Sequence, residues 1–180
     1  AFAGIANGTH QGTIEATDAT TVAQANKFDA VSDGIVTATI DSTAENLANL
    51  TGTTGAYAIT LTTDTAAATI AELKAINAAT TGAITLNALT IAEDYSDTAA
   101  NLAAAFAGIT AGTHTGILTI DNASTALLEE LVTINNVSIG TVVLGTNTIA
   151  ENYSGSAANL ESAFAGIANG THQGTIEATD

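Results

Sequence analysis

The sequence predicts an α/β fold, a repeat solenoid of short parallel strands and short helices with about six coils per period. Three observations carry this. Residues 1–18 and 163–180 are the same eighteen letters, which sets a period of 162 residues. Within that period a glycine precedes a short β-branched run at Gly12, Gly34, Gly55, Gly82, Gly116, Gly140 and Gly174. Each run is followed by Asp or Ser and then by an Ala/Leu-rich stretch. A unit of this size cannot bury its apolar face alone, so each must stack on the next.

The first half of each unit reads as a strand. In Ile35–Ile40 the residues Val36, Ala38 and Ile40 share one face, and Thr37 and Thr39 share the other. Ala58–Thr62 and Ile117–Ile120 have the same β-branched character, which suits a pleated, half-buried setting.

The second half reads as a short helix. Asp18, Asp41, Asp64, Asp97 and Asp121 each precede an Ala-rich stretch, where a carboxylate can accept from free backbone N–H groups. Ser154 or Ser156 takes that place in the remaining unit. The helix after Asp64 places Ile70, Leu73 and Ile76 at helical spacing. The helix after Asp121 sets Leu127, Leu128, Leu131 and Ile134 on one side and turns Glu129 and Glu130 away. Gly52, Gly108, Gly112, Gly166 and Gly170 fall where helices should stop. An all-β parallel solenoid is the alternative, but the runs Ala99–Ala107 and Ala66–Leu73 favour helix by propensity.

A helix carrying the chain back makes successive strands parallel. At about 4.7–4.9 Å per strand, six coils advance roughly 28–29 Å. A second repeat lies inside the period: residues 82–116 align with 140–174 at an offset of 58, with 21 identities in 35 positions. These two longer units carry extra letters, Leu89–Glu93 and Asn147–Glu151, which read as an additional short strand or a protruding loop. The domain organisation expected is one full period over 1–162 and the start of the next over 163–180. The chain then reads as an internal segment of a longer tandem-repeat protein, with any export signal elsewhere.

Composition narrows the function classes. The hydrophobic share is 46% but only 4% is aromatic, so the core is thin and built from small side chains. Eighteen acidic residues face only Lys27 and Lys74, for a net charge of −16. That argues against nucleic-acid and anionic-membrane partners, which need Lys and Arg. The apolar runs are far short of the roughly 20 residues that span a bilayer. The absence of Cys removes disulfides and thiolate metal sites.

Candidate chemistry is sparse. His10, His114 and His172 share the context Gly-Thr-His-x-Gly and have no second His or Cys at ligand spacing, so they read as turn residues packing over a coil edge. Glu93, Asp94, Asp97 and Glu151 offer oxygen ligands of the kind Ca²⁺ takes, but no calcium-loop motif surrounds them. Thr17, Thr37, Thr39, Thr60, Thr62, Thr85 and Thr119 should project from the outer strand face, interrupted by Glu15, Asn87 and Val143. Glycosylation sequons occur at Asn7, Asn49, Asn122, Asn136, Asn152 and Asn169. No catalytic constellation is found, and the expectation is no catalytic, cofactor-binding or metal residue.

Ser96-Asp97-Thr98-Ala99-Ala100-Asn101-Leu102, after the strand Gly82–Leu86, resembles the strand–helix repeats of giant bacterial surface and secreted proteins. Asp41–Leu47 and Ser156–Leu160 are further copies. Such chains are adhesin-like or S-layer-like and are often exported by type I systems. The resemblance implies a non-catalytic structural module of an extracellular fibre or surface layer, at the cell surface. Its partners would be neighbouring repeats of the same chain, with self-association into a fibre or layer. The alternative is an adhesin module whose Thr-rich face or protruding segments bind ice, glycan or another surface.

Overall fold

The structure is a computed structural model that describes residues 4–53, 55–62, 65–168 and 170–179. Strands and helices alternate along these residues. The order is β1 (Ile14–Ala19), α1 (Val22–Val31), β2 (Val36–Ser42), α2 (Ala44–Leu47), β3 (Gly55–Leu61), α3 (Ile70–Ala79), β4 (Ile84–Thr85) and α4 (Ala88–Ala92). It continues with β5 (Tyr95–Asp97), α5 (Ala99–Phe106), β6 (Leu118–Ile120), α6 (Leu128–Val137), β7 (Val142–Val143), α7 (Thr146–Ile149), β8 (Tyr153–Gly155), α8 (Ala157–Phe164) and β9 (Ile176–Ala178). Every described strand pair is parallel, in three small sheets ordered β1-β2-β3-β4, β5-β6-β7 and β8-β9. The α/β class read from the sequence is therefore observed, and the Ala-rich stretches are helices rather than further strands. The chain divides into two compact units, Ala1–Leu89 and Thr90–Asp180.

In the first unit the alternation of β2 becomes a register. Val36 pairs with Gly55, Ala38 with Tyr57 and Ile40 with Ile59, and all six are buried. Leu73, Ile76 and Ala79 of α3 add to the same core, as the helical spacing predicted for Leu73 and Ile76. Each such Ile or Leu contributes about 1.5–3 kcal/mol by leaving water. Thr80, buried at the end of α3, donates its hydroxyl to the Tyr57 carbonyl at 2.9 Å and accepts from the Tyr57 amide at 2.7 Å.

In the second unit α6 packs against both α5 and α8. Leu102, Phe106, Leu131, Ile134, Leu160 and Ala163 fill that layer. A buried amide ties it together. Asn135 of α6 donates to the carbonyls of Leu131 and Ala163, and its oxygen accepts from the Gly166 amide.

Several expectations need correction. Four helix caps are threonines rather than the preceding aspartates, since Thr21, Thr43, Thr69 and Thr98 accept from the third residue on, whereas Ser156, one of the two serines expected, does cap α8. Asp41 instead lies within β2, and Asp97 ends β5. Asp18 lies within β1, and Asp64 lies outside the described residues. Asp121 accepts from the Ala123 amide in a turn ahead of α6. Leu127 is 56% exposed, because it stands at the cap position before α6 where the chain has not yet turned inward. Ala66–Ala68 precede α3 rather than join it. The extra letters Leu89–Glu93 and Asn147–Glu151 fold largely as helix, in α4 and α7, and the additional strands β5 and β8 follow them. Of the expected stop glycines, Gly112 and Gly170 take φ of 67° and 78°, but several residues beyond the helix ends.

Candidate functional site

The chemistry-bearing side chains gather most densely in two equivalent aromatic clusters of the second unit. Tyr95 opens β5, Phe106 closes α5, and His114 lies in the turn before β6. Their ring centroids are 5.7 Å apart for Tyr95–Phe106, 5.6 Å for Tyr95–His114 and 5.2 Å for Phe106–His114. Tyr153, Phe164 and His172 stand 58 positions further on and repeat the arrangement at 5.6, 5.5 and 5.0 Å. Edge-to-face aromatic pairs contribute about 0.5–1.5 kcal/mol each beyond their buried area. The left-handed glycines Gly112 and Gly170 make the turn that brings each histidine back over its cluster.

His114 is completely buried, and neither ring nitrogen has a hydrogen-bond partner. Its backbone forms an isolated parallel bridge with Ser138. Burial pushes the imidazole below its ordinary pKa, against the opposing pull of the Glu93 and Gly116 carbonyls and the Asp94 carboxylate. In the second cluster His172 lies half-buried, and its Nε2 is 2.8 Å from the Glu151 carbonyl oxygen, the position equivalent to Glu93. Tyr153 donates its hydroxyl to the Ala126 carbonyl at 2.7 Å. Burial, with Glu151 and Glu130 nearby, pushes its pKa up to about 12. The three rings of each cluster pack against one another and tie a strand, the helix after it and the following turn together. Sequence reasoning placed the histidines at a coil edge but missed the clusters. The signal was available, since Tyr, Phe and His all recur together at the offset of 58.

His10 is half-buried and bridges Ser32 as His114 bridges Ser138. The carboxylates are not brought together. Asp94 accepts from the Ile117 amide at 2.6 Å, and Asp97 accepts from the Thr98 amide and the Asn101 side chain at 2.7 Å each. Glu93 and Glu151 are exposed. Among the described residues no group of three or more His, Asp or Glu could hold a metal ion. Of the sequon asparagines, Asn122 and Asn152 accept from the Thr146 and Thr175 amides, and Asn169 lies outside the described residues.

The outer threonines do face away from the core, since Thr17, Thr39, Thr62 and Thr85 are exposed and Thr37, Thr60 and Thr119 half-buried. They do not form ranks. Thr37 stands between Glu15 and Ala56, and Thr119 between Ser96 and Val143, while Thr60 and Thr85 are neighbours. Asn87 is not part of this face: it is buried, and its amide donates to the Thr62 carbonyl.

An open groove lies at the carboxyl ends of β1 and β2, lined by Thr20, Thr21, Asn26, Asp41, Ser42 and Asn46. Its polar groups are largely spent on the chain itself. Thr20 donates to the Asp18 carbonyl, Thr21 and Gln24 cap one another, and Asn26 spans the Asn49 carbonyl and the Thr51 amide. Among the described residues no helix is long and apolar enough to cross a membrane. No protein-family model, curated protein or solved structure matches the chain.

Proposed function

We propose that this chain is a non-catalytic structural repeat module of a long extracellular bacterial fibre or surface layer. The observation that carries this reading is the recurrence of a complete packing staple, Tyr95–Phe106–His114 and Tyr153–Phe164–His172, at a fixed offset. The side chains that could do chemistry hold neighbouring segments of the chain in place instead. Parallel strands each joined to the next through a helix support stacking into a solenoid, whose length grows with the number of periods. A net charge of −16 keeps neighbouring rods apart and soluble, with divalent ions available to bridge them. An ice- or glycan-binding face draws less support, because the threonines alternate with Glu15, Ala56 and Val143 instead of forming a regular array.

Negative-stain imaging of a chain of several periods tests the reading. Rods that lengthen by about 29 Å per period, six strand spacings, are expected. Compact particles whose length does not grow with period number would overturn it. Adding a chelator to assembled material tests ion bridging, which unchanged assembly would exclude.

A further inference from the structure

The duplicated segment, residues 1–18 and 163–180, meets different neighbours in its two copies. In the first copy β1 pairs with β2, placing Ile14 beside Val36 and Glu15 beside Thr37. In the second copy β9 pairs with β8, placing Ile176 beside Tyr153 and Glu177 beside Ser154. Ile14 and Ile176 are the same repeat position, so one sequence uses one strand edge in one copy and the opposite edge in the other.

The two sets of contacts are complementary halves of an arrangement that occurs whole around His114. There the Tyr95 amide donates to the Ile117 carbonyl and the Leu118 amide donates to the Thr141 carbonyl. In the second copy the Tyr153 amide donates to Thr175, and in the first the Ile14 amide donates to Ile35. The Thr115 and Gly116 amides donate to Ile91, and their counterparts Gln173 and Gly174 donate to Ile149. On the other side Gly112 donates to Asn136 and His114 to Val137; their counterparts Gly8 and His10 donate to Ala30 and Val31. His114 carries both halves, with Tyr95 and Phe106 before it and Ser138 after it. His172 has the first half, in Tyr153 and Phe164, and His10 the second, in Ser32. Burial also differs between the copies. Leu118, with a strand on each side, is 0% exposed, Ile14 beside β2 is 7% exposed, and Ile176, with only β8, is 48% exposed.

We infer that the eighteen-residue segment is the joint between successive 162-residue periods: it takes β8 of one copy on one edge and β2 of the next on the other, and closes a His114-type cluster between them. Its partner is a second copy of this sequence, joined head to tail. The halves do not compete for any donor, because each amide used toward β8 differs from each amide used toward β2. The joint rests on the tandem-repeat reading above and specifies its contacts.

The test compares the 180-residue chain with a longer one in which residues 1–162 precede it. Both are treated with diethyl pyrocarbonate at neutral pH, and histidine adducts are counted by ultraviolet difference absorbance. In the 180-residue chain His10 and His172 react and His114 does not, giving two adducts. The longer chain is expected to give two as well, because the joint histidine becomes enclosed like His114. A third adduct would overturn the joint, and so would a longer chain that fails to fold by circular dichroism. Replacing the joint's tyrosine, Tyr153→Ala in the first copy alone, should restore the third adduct. Rods that retain a reactive joint histidine would overturn the joint and leave the fibre reading standing. A protected joint in compact particles would do the reverse.

Discussion

The Ile117 amide donates to the Asp94 carboxylate at 2.6 Å, and 58 positions on the Thr175 amide donates to the Asn152 carboxamide oxygen at 2.7 Å. A charged and a neutral side chain thus fill the same acceptor role, so the oxygen matters and the charge does not. Asp94→Asn should leave stability within about 0.5 kcal/mol, whereas Asp94→Ala should lose about 1 kcal/mol. Urea unfolding of the two variants checks this, and equal losses would show that the charge is what counts.

His114 ties stability to pH. Burial holds its folded pKa below the ordinary value, so the unfolded chain binds more protons between the folded value and about 6.5. The stability is fully present above about pH 6.5 and is lost as pH falls through the folded pKa. The fall in urea midpoint from about pH 7.5 to about pH 5 should be smaller in His114→Leu than in the parent chain. An unchanged slope would place the pH dependence elsewhere.

The two tyrosines pushed up to about 12 behave in the opposite sense. Each favours the neutral phenol when folded, so its contribution holds below about pH 10 and is lost as pH rises toward 12. Tyrosinate absorbance should therefore appear together with loss of helical circular dichroism. The pair separates on mutation to Phe. Tyr57 has a buried hydroxyl without a partner, so Tyr57→Phe should be neutral or stabilising by up to about 1 kcal/mol. Tyr153→Phe strands the buried end of its bond to Ala126 and should cost about 1 kcal/mol.

Gly116 lies where two segments of chain nearly touch. A Cβ added there would stand 2.0 Å from the Glu93 carbonyl oxygen, and backbone cannot swing aside as a side chain can. Gly116→Ala should cost about 1–3 kcal/mol. Thr110→Ala, at an exposed position, should stay within about 0.5 kcal/mol. Thermal melting of both separates close approach from a general sensitivity of the turn.

The caps give a further contrast. Thr98→Ala removes the acceptor for the Asn101 amide and should cost about 1 kcal/mol. Asp41→Ala, at the exposed end of β2, should change stability by less than about 0.5 kcal/mol. Equal losses would return the capping role to the aspartates.

Legibility followed the strength of the local pattern. β2 was readable because Val36, Ala38 and Ile40 alternate with polar residues, and α5 because an Ala-rich run has few other options. β4 and β7 are only two residues long, too short for periodicity to mark their ends. The cap positions lie one to six residues beyond the expected aspartates, because Asp and Thr can both cap and which one does so depends on where the strand ends and the helix begins. Asn87 was placed outside because alternation was carried past the end of β4, where the chain turns and buries the amide against Thr62. The aromatic clusters were the harder loss, since Tyr95, Phe106 and His114 are joined by folding and not by spacing. Only the internal repeat connects them in the sequence.

Within each sheet every strand pairs with the next in sequence, and the partners lie close along the chain: Val36 with Gly55, Tyr95 with Leu118, Leu118 with Val142, Ile59 with Ile84. In the tandem-repeat chain proposed above, adding periods would add contacts without lengthening the loops that must close. Folding speed should depend on one unit rather than on total length. A very long chain of this kind could order itself progressively as it emerges from a narrow exit. Pulled from one end, it should give way one unit at a time, dissipating energy in many small steps rather than in a single rupture.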